Sequence, residues 1–162
     1  CLRMDSHYRT NFVWHLVEQV TEQRIEMTLE RTRLPRAVDV TYPCGLADLA
    51  AECRSGDCFL VADELTRVRG WVVARERLWT NTAWIEHCVV DAQYRGQGIG
   101  TLLLEAAEVW AQSVEFKQMV LPLQTKNDLA ITSCMAQGYR YAGYLERYFT
   151  NHDIGLLFIK TL

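Results

Sequence analysis

The sequence predicts an α/β or α+β sandwich, a mixed sheet with helices packed against its faces. Three observations carry this. Strand-like alternation fills the first half of the chain, and a strand–helix–strand–helix–strand pattern fills the second. The length of 162 residues, with 49% hydrophobic and 23% charged, suits one globular core rather than two. Residues 1–162 are therefore expected to form a single domain. The chain begins at Cys1 without an initiator Met, which leaves open that N-terminal sequence, including a first strand, precedes it.

Two paired strands are expected at residues 12–20 and 23–33, where Ile25, Met27 and Leu29 alternate with polar neighbours. Pro35 and the Tyr42-Pro43-Cys44-Gly45 cluster should break the pattern, and Leu46, Leu49, Ala50 and Cys53 then fall on one face of a short helix ending near Gly56. Strands follow at 58–63, 68–78 and 84–90. A helix at 98–113 places Ile99, Leu102, Leu103, Ala106 and Trp110 on a buried stripe and Glu105, Glu108 and Gln112 in water. A strand at 118–124, a helix at 127–137 and strands at 139–149 and 154–160 close the chain. No internal repeat or low-complexity segment is present.

The 17 Lys and Arg against 20 Asp and Glu give a net charge of −3, which argues against a protein that holds nucleic acid or anionic lipid by counterion release. No apolar run approaches the roughly 20 residues that span a bilayer, and Arg3, Asp5 and Arg9 stand where a signal peptide would be apolar. A cytoplasmic protein with no nucleic-acid or membrane partner is expected. The six cysteines form no CxxC pair, so neither a metal site nor a disulfide framework is expected. His15 and His87 lie in strands with no second ligand at metal spacing and read as structural.

Chemistry concentrates in residues 84–101, where a strand runs into a glycine-rich turn and then the long helix. Gly96, Gly98 and Gly100 at a helix N-terminus let a ligand approach free N–H groups and the positive end of the helix dipole. Each charge-assisted hydrogen bond there is worth about 1.5–3 kcal/mol and the dipole about 0.3–1 kcal/mol, enough together to hold a pyrophosphate. Arg95 would add a charged fork. A P-loop is excluded because Thr101 and Leu102 stand where its Gly and Lys belong, and a dinucleotide fingerprint fails at the same Thr101.

These residues resemble a known signature. Arg95-Gly96-Gln97-Gly98-Ile99-Gly100 is similar to the acetyl-CoA turn of the GNAT N-acetyltransferase superfamily, whose Arg/Gln-x-x-Gly-x-Gly/Ala motif wraps the CoA pyrophosphate. Asn127, after Gln124-Thr125-Lys126, is similar to the family's CoA-contacting Asn. Met4-Asp5-Ser6-His7-Tyr8, the Tyr42-Pro43 break and Trp79 with Ala83-Trp84-Ile85-Glu86 resemble the streptothricin (nourseothricin) acetyltransferases. The resemblance implies a mixed, mostly antiparallel central sheet flanked by helices, acetyl-CoA as co-substrate without a metal, and acetylation of a primary amine on a small cationic compound. It implies cofactor contacts at Arg95 to Thr101 and Asn127, and a splayed strand at Cys88, Val89 and Val90 that pairs with the pantetheine arm. The oligomeric state is not legible, and a homodimer is left open.

Direct attack by an alkyl amine requires the free base, only roughly 0.04% of the total at pH 7. Glu86, on the strand where the family carries a carboxylate, is the expected proton acceptor; its alternative is a surface Glu. Trp79 and Trp84 would cover an alkylammonium by cation–π contact, or pack as ordinary strand residues. Asp5 and Tyr8 match positions lining the acceptor pocket, or belong to a frayed terminus. The family's Tyr, which protonates the departing thiolate, is replaced by Cys134, a suitable acid with too short a reach. Tyr139, Tyr141 and Tyr144 are candidate substitutes. Without that acid, the alternative function is a CoA-binding module with little or no transferase activity.

Overall fold

The computed structural model describes residues 4–44, 50–51, 54, 57–64 and 67–162. Among the described residues eight strands and two continuous helices follow in the order β1 (Tyr8–Val20), β2 (Ile25–Val40), β3 (Cys58–Glu64), β4 (Arg67–Arg77), β5 (Thr82–Val90), α1 (Ile99–Ser113), β6 (Gln118–Gln124), α2 (Asp128–Ala136), β7 (Arg140–Leu145) and β8 (Gly155–Thr161). Strands β3-β4-β5-β6-β8-β7 make one six-stranded sheet in which β5 and β6 pair parallel and all other neighbours antiparallel. A separate ribbon of β1 and β2 lies against the start of α2. The expected mixed, mostly antiparallel sheet is the one found. Of the short helix expected over Leu46, Leu49, Ala50 and Cys53, Ala50 with Ala51 and Arg54 is helical, and Leu46, Leu49 and Cys53 lie outside the described residues.

Pro35 does not end β2. The ribbon register jumps from Phe12↔Arg33 to Thr10↔Val38, so residues 34–37 bulge opposite Asn11 and the missing proline N–H falls where no ladder bond needs it. The last strand pair is shorter than expected, because Glu146 to Asn151 turn away and Arg147 takes a positive φ of 51°.

Helix α1 buries a different stripe from the one the spacing suggested. Ile99, Leu103, Leu104, Ala107 and Ala111 face the sheet, whereas Leu102 is 62% exposed and Ala106 is exposed. Each buried Leu or Ile contributes roughly 1.5–3 kcal/mol. The helix is rotated towards β4, where Gly70 permits close approach: a Cβ there would meet Val89 O at 2.9 Å and Leu103 Cδ1 at 3.0 Å. Glu108, expected in water, turns inward, accepting from Tyr139 Oη at 3.0 Å and Lys160 Nζ at 2.7 Å. The opposite sheet face is a smaller cluster of Trp71, Val73 and Val89, against which Met4, Tyr42 and Val68 pack. Among the described residues no helix is long and apolar enough to cross a membrane, and no three His, Cys, Asp or Glu gather as metal ligands.

Candidate active site

The site originates in an interrupted strand pair. β5 pairs with β6 only from Thr82↔Gln118 to Trp84↔Val120; beyond this, β5 follows β4 to Val90 while β6 follows β8 to Gln124. The divergence coincides with a bulge, since Val73 opposes His87 and Ala74 opposes Ile85, so the β4–β5 register skips Glu86. The two strands splay, and a cavity of about 650 Å³ opens between them. Cys88, Val89 and Val90 of β5 and Leu121 and Leu123 of β6 form its floor. The α1 turn and the N-terminal half of α2 form two walls, and residues 8–12 of β1 a third.

The turn is shaped by its glycines. Gly96 has φ +73° and Gly98 φ +81°, and a Cβ at either would meet nothing within 4 Å. Asp91 sets the approach by accepting from Gln93 N at 3.2 Å, and its own carbonyl accepts from Tyr94 N at 2.9 Å. Gly98 caps α1 without a side-chain bond. Among the described residues no acceptor lies on the N–H groups of Gly98 to Thr101, which border the cavity at the positive end of the helix.

Arg95 borders the same cavity, yet its guanidinium is occupied elsewhere. Nε donates to Val90 O at 3.0 Å, Nη2 to Asp5 O at 2.9 Å and Nη1 to His7 O. The expected anion-binding fork thus fastens the N-terminal segment to the end of β5; burial pulls its pKa below the usual value, with Asp5 and Asp91 opposing. The neighbouring Gln97 side chain reaches only Gln93 O, at 3.4 Å, and lies outside the cavity wall.

Asn127 caps α2 by accepting from Ala130 N at 3.3 Å and borders the cavity. The next residue fixes the helix to the ribbon: buried Asp128 accepts from Arg31 Nε at 2.7 Å, Arg31 Nη2 at 2.8 Å and Trp14 Nε1 at 3.0 Å. The hydrogen-bonded guanidinium holds its carboxyl below the usual range. Nearly two turns further, Cys134 is on the wall but only 1% exposed, and its thiol donates to Ile131 O at 3.2 Å. Burial pushes that thiol up to about 12, and likewise Cys88.

The three candidate replacements for the missing phenol stand elsewhere. Tyr139 donates to Glu108, Tyr144 Oη donates to Glu18 Oε2 at 3.0 Å, and Tyr141 Oη is buried with no partner among the described residues. None borders the cavity.

A smaller hollow of about 50 Å³ adjoins the first on the far side of the splay, bordered by Glu86, Pro43, Gln124 and Phe149. Glu86 Oε1 lies 3.2 Å from Arg77 Nη2 and 3.7 Å from Arg75 Nε, so the expected proton acceptor is engaged by two guanidiniums. Trp84 donates to Tyr148 Oη at 3.0 Å and borders neither hollow. Trp79, 96% exposed in a short 3₁₀ turn after β4, borders neither hollow. Asp5 also misses both walls; its side chain meets His7, exposed, and its carbonyl serves Arg95 and Ala92 N. Tyr8 is on the main wall, donating to Gln124 Oε1 at 3.0 Å, and Gln124 in turn donates to Asp153 at 2.7 Å.

Sequence reasoning missed two features. One is the Arg31–Asp128 pair, whose partners stand 97 positions apart. The other is the contact of Tyr42 Oη with His87 Nδ1 at 2.7 Å, at the junction of the two hollows. The Tyr42-Pro43 break was its only local signal.

Residues 16–139 match the model of the acetyltransferase (GNAT) family. Similar solved structures include a nourseothricin acetyltransferase, at TM-score 0.81 and 18% identity over 98% of this chain and 89% of that one. A Bacillus anthracis str. Ames protein assigned as a streptothricin acetyltransferase, in complex with acetyl coenzyme A, gives TM-score 0.76 and 20% identity over 99% of this chain and 91% of that one. The ribosomal-protein-S18-alanine N-acetyltransferase from Escherichia coli gives 0.61 and 18% over 74% and 78%. At such identities the likeness is one of fold. No curated protein matches the sequence at a significant level.

Proposed function

The chain belongs to the acetyltransferase (GNAT) family, and from that premise we propose that it transfers the acetyl group of acetyl-CoA to a primary amine of a small cationic compound of the streptothricin type. Transfer is by direct attack with both substrates bound. The observation that carries this reading is the set of open N–H groups at Gly98 to Thr101 facing a cavity of about 650 Å³. The size lies within the roughly 300–1,000 Å³ of small-molecule sites. The donor set suits a diphosphate, and the glycines leave the space a side chain would fill.

In this reading acetyl-CoA supplies the activated acyl group, and the chain supplies placement and charge. Residues 98–101 bind the diphosphate, with Asn127 and the start of α2 closing the other side. The edge of β5 beyond Trp84, which has lost β6, offers main-chain groups at Cys88, Val89 and Val90 to the pantetheine arm. Backbone N–H groups near Val89 and Val90 polarise the thioester carbonyl as charge develops on its oxygen. Glu86 borders the smaller hollow with its carboxylate held by Arg77 and Arg75, so a cationic acceptor would meet it only by displacing a guanidinium. The nourseothricin and streptothricin acetyltransferases of similar fold support the choice of acceptor class.

A second reading, a CoA-binding module without turnover, is favoured by one observation: Cys134 is buried and its thiol is turned to Ile131 O. The two separate in one experiment, thiol release from acetyl-CoA with a panel of amines that includes streptothricin. Release matched by acetylated amine supports transfer. CoA binding with no release for any amine supports the module.

A further inference from the structure

We infer that Tyr42, hydrogen-bonded to His87, is the catalytic residue that takes the proton from the attacking amine, with His87 acting through it. This rests on the acyl-transfer reading above. The amine and the thioester must meet where the two hollows join, and among the described residues five border both: Tyr42, Cys88, Leu121, Leu123 and Asn127. Leu121 and Leu123 carry no exchangeable proton. Asn127 Oδ1 caps α2, and an amide is no acid or base at neutral pH. Burial pushes the Cys88 thiol up, away from the range of a base at neutral pH, and among the described residues no acceptor is seen to take its proton on. Among the described residues that border both, the phenol of Tyr42 is the remaining group able to move a proton.

Its partner suits the task. Tyr42 Oη lies 2.7 Å from His87 Nδ1, and imidazole is the side chain whose basicity matches proton removal at neutral pH. The ring is held edge-on against the fully buried Trp71 of β4, at 5.8 Å between centroids. Tyr42 approaches it from the connection after β2, with 5.9 Å between ring centroids, and Glu86, the preceding residue of β5, is held by Arg75 and Arg77. As nitrogen bonds to the carbonyl carbon, its proton passes to Tyr42 Oη while the phenolic proton passes to Nδ1. When the carbon–sulfur bond breaks the transfer reverses, and Tyr42 delivers a proton to the departing sulfur. The proton lost by nitrogen is thus the one gained by the thiol, with no further reactant, and Cys134 need not serve as acid.

Tyr42→Phe keeps the ring and removes the hydroxyl. It is expected to lower kcat by about 10²- to 10⁴-fold while KM for both substrates and CoA affinity stay essentially unchanged. His87→Gln is expected to lower kcat and remove the acid limb of the kcat–pH profile, which a purely structural role would leave in place. A structural readout needs no turnover: ¹⁵N NMR of the ligand-free protein should find His87 Nδ1 unprotonated and accepting, with the proton on Nε2. An unimpaired Tyr42→Phe enzyme, or a proton on Nδ1, overturns the relay alone. Absence of turnover in the unsubstituted protein with every amine overturns the relay and the acyl-transfer reading together.

Discussion

Gly98 offers the sharpest test of where the phosphates sit, because two substitutions there share a backbone penalty and differ in charge. Gly98 has φ +81° and ψ −2°, the left-handed region, and a Cβ would meet nothing within 4 Å. Gly98→Ala should therefore cost about 1–2 kcal/mol of backbone strain without a clash, lowering Tm by about 2–4 °C for each kcal/mol in a chain of this size. Gly98→Glu carries the same strain and adds a carboxylate to the space over the α1 N–H groups. Two unit charges about 5 Å apart at an effective dielectric constant of about 20 repel by roughly 3 kcal/mol, so CoA should bind roughly 100-fold more weakly than to the Ala variant. The assay is calorimetric titration with CoA, with Tm measured for both variants. The gap should narrow at high salt. Equal CoA affinity for the two variants, at equal Tm, would refute the placement of the diphosphate at this turn.

Three further outcomes follow from single features. Burial pushes the Cys88 and Cys134 thiols up to about 12, so at pH 8 only about one in 10⁴ of each is thiolate; iodoacetamide followed by mass spectrometry should find both unmodified in the native protein and modified in denaturant, and rapid native labelling of either contradicts this. Trp79→Ala, at a side chain 96% exposed, should change stability by less than about 0.5 kcal/mol and leave the acceptor KM unchanged; a raised KM would restore Trp79 to the acceptor site. Asp128→Asn should lower Tm at pH 7. Because the Arg31 guanidinium depresses the folded-state pKa, the stabilisation is present above the unfolded value of about 3.9 and is lost as pH falls through the folded one. The Tm difference between the native and Asn chains should shrink towards pH 3, and a constant difference would count against the ion pair as its source.

What was legible in the sequence was local. The glycine turn and the start of α1 at Ile99 are written in consecutive residues, and the structure places the helix within one position of the expectation. Strand β6 matches at both ends for the same reason. What was illegible depends on partners remote along the chain. Arg95 reads as a free fork beside glycines, but its acceptors at His7 and Asp5 lie 88 and 90 positions away. The end of β4 is legible to within one residue, but the direction of Trp79 in the 3₁₀ turn that follows is set by the turn and not by any local pattern. The α1 stripe was misplaced because Leu102 and Leu104 are chemically alike, and only the sheet decides which is buried.

The bulge at Glu86 ties these findings together. Ala83 and Ile85 pack into the core beneath α1, and strict alternation would send His87 and Val89 to the same face. The extra residue inverts the order: Cys88 and Val90 pack towards that core, while Val89 joins Trp71 and Val73 on the opposite face and the His87 ring meets Trp71. One residue skipped in the β4–β5 register therefore accompanies the parting of β5 from β6 and sends the imidazole to the face where Tyr42 packs. A sequence read by period two places His87 with Ile85 in the α1 core, as a structural histidine. The site exists because β5 does not keep that period.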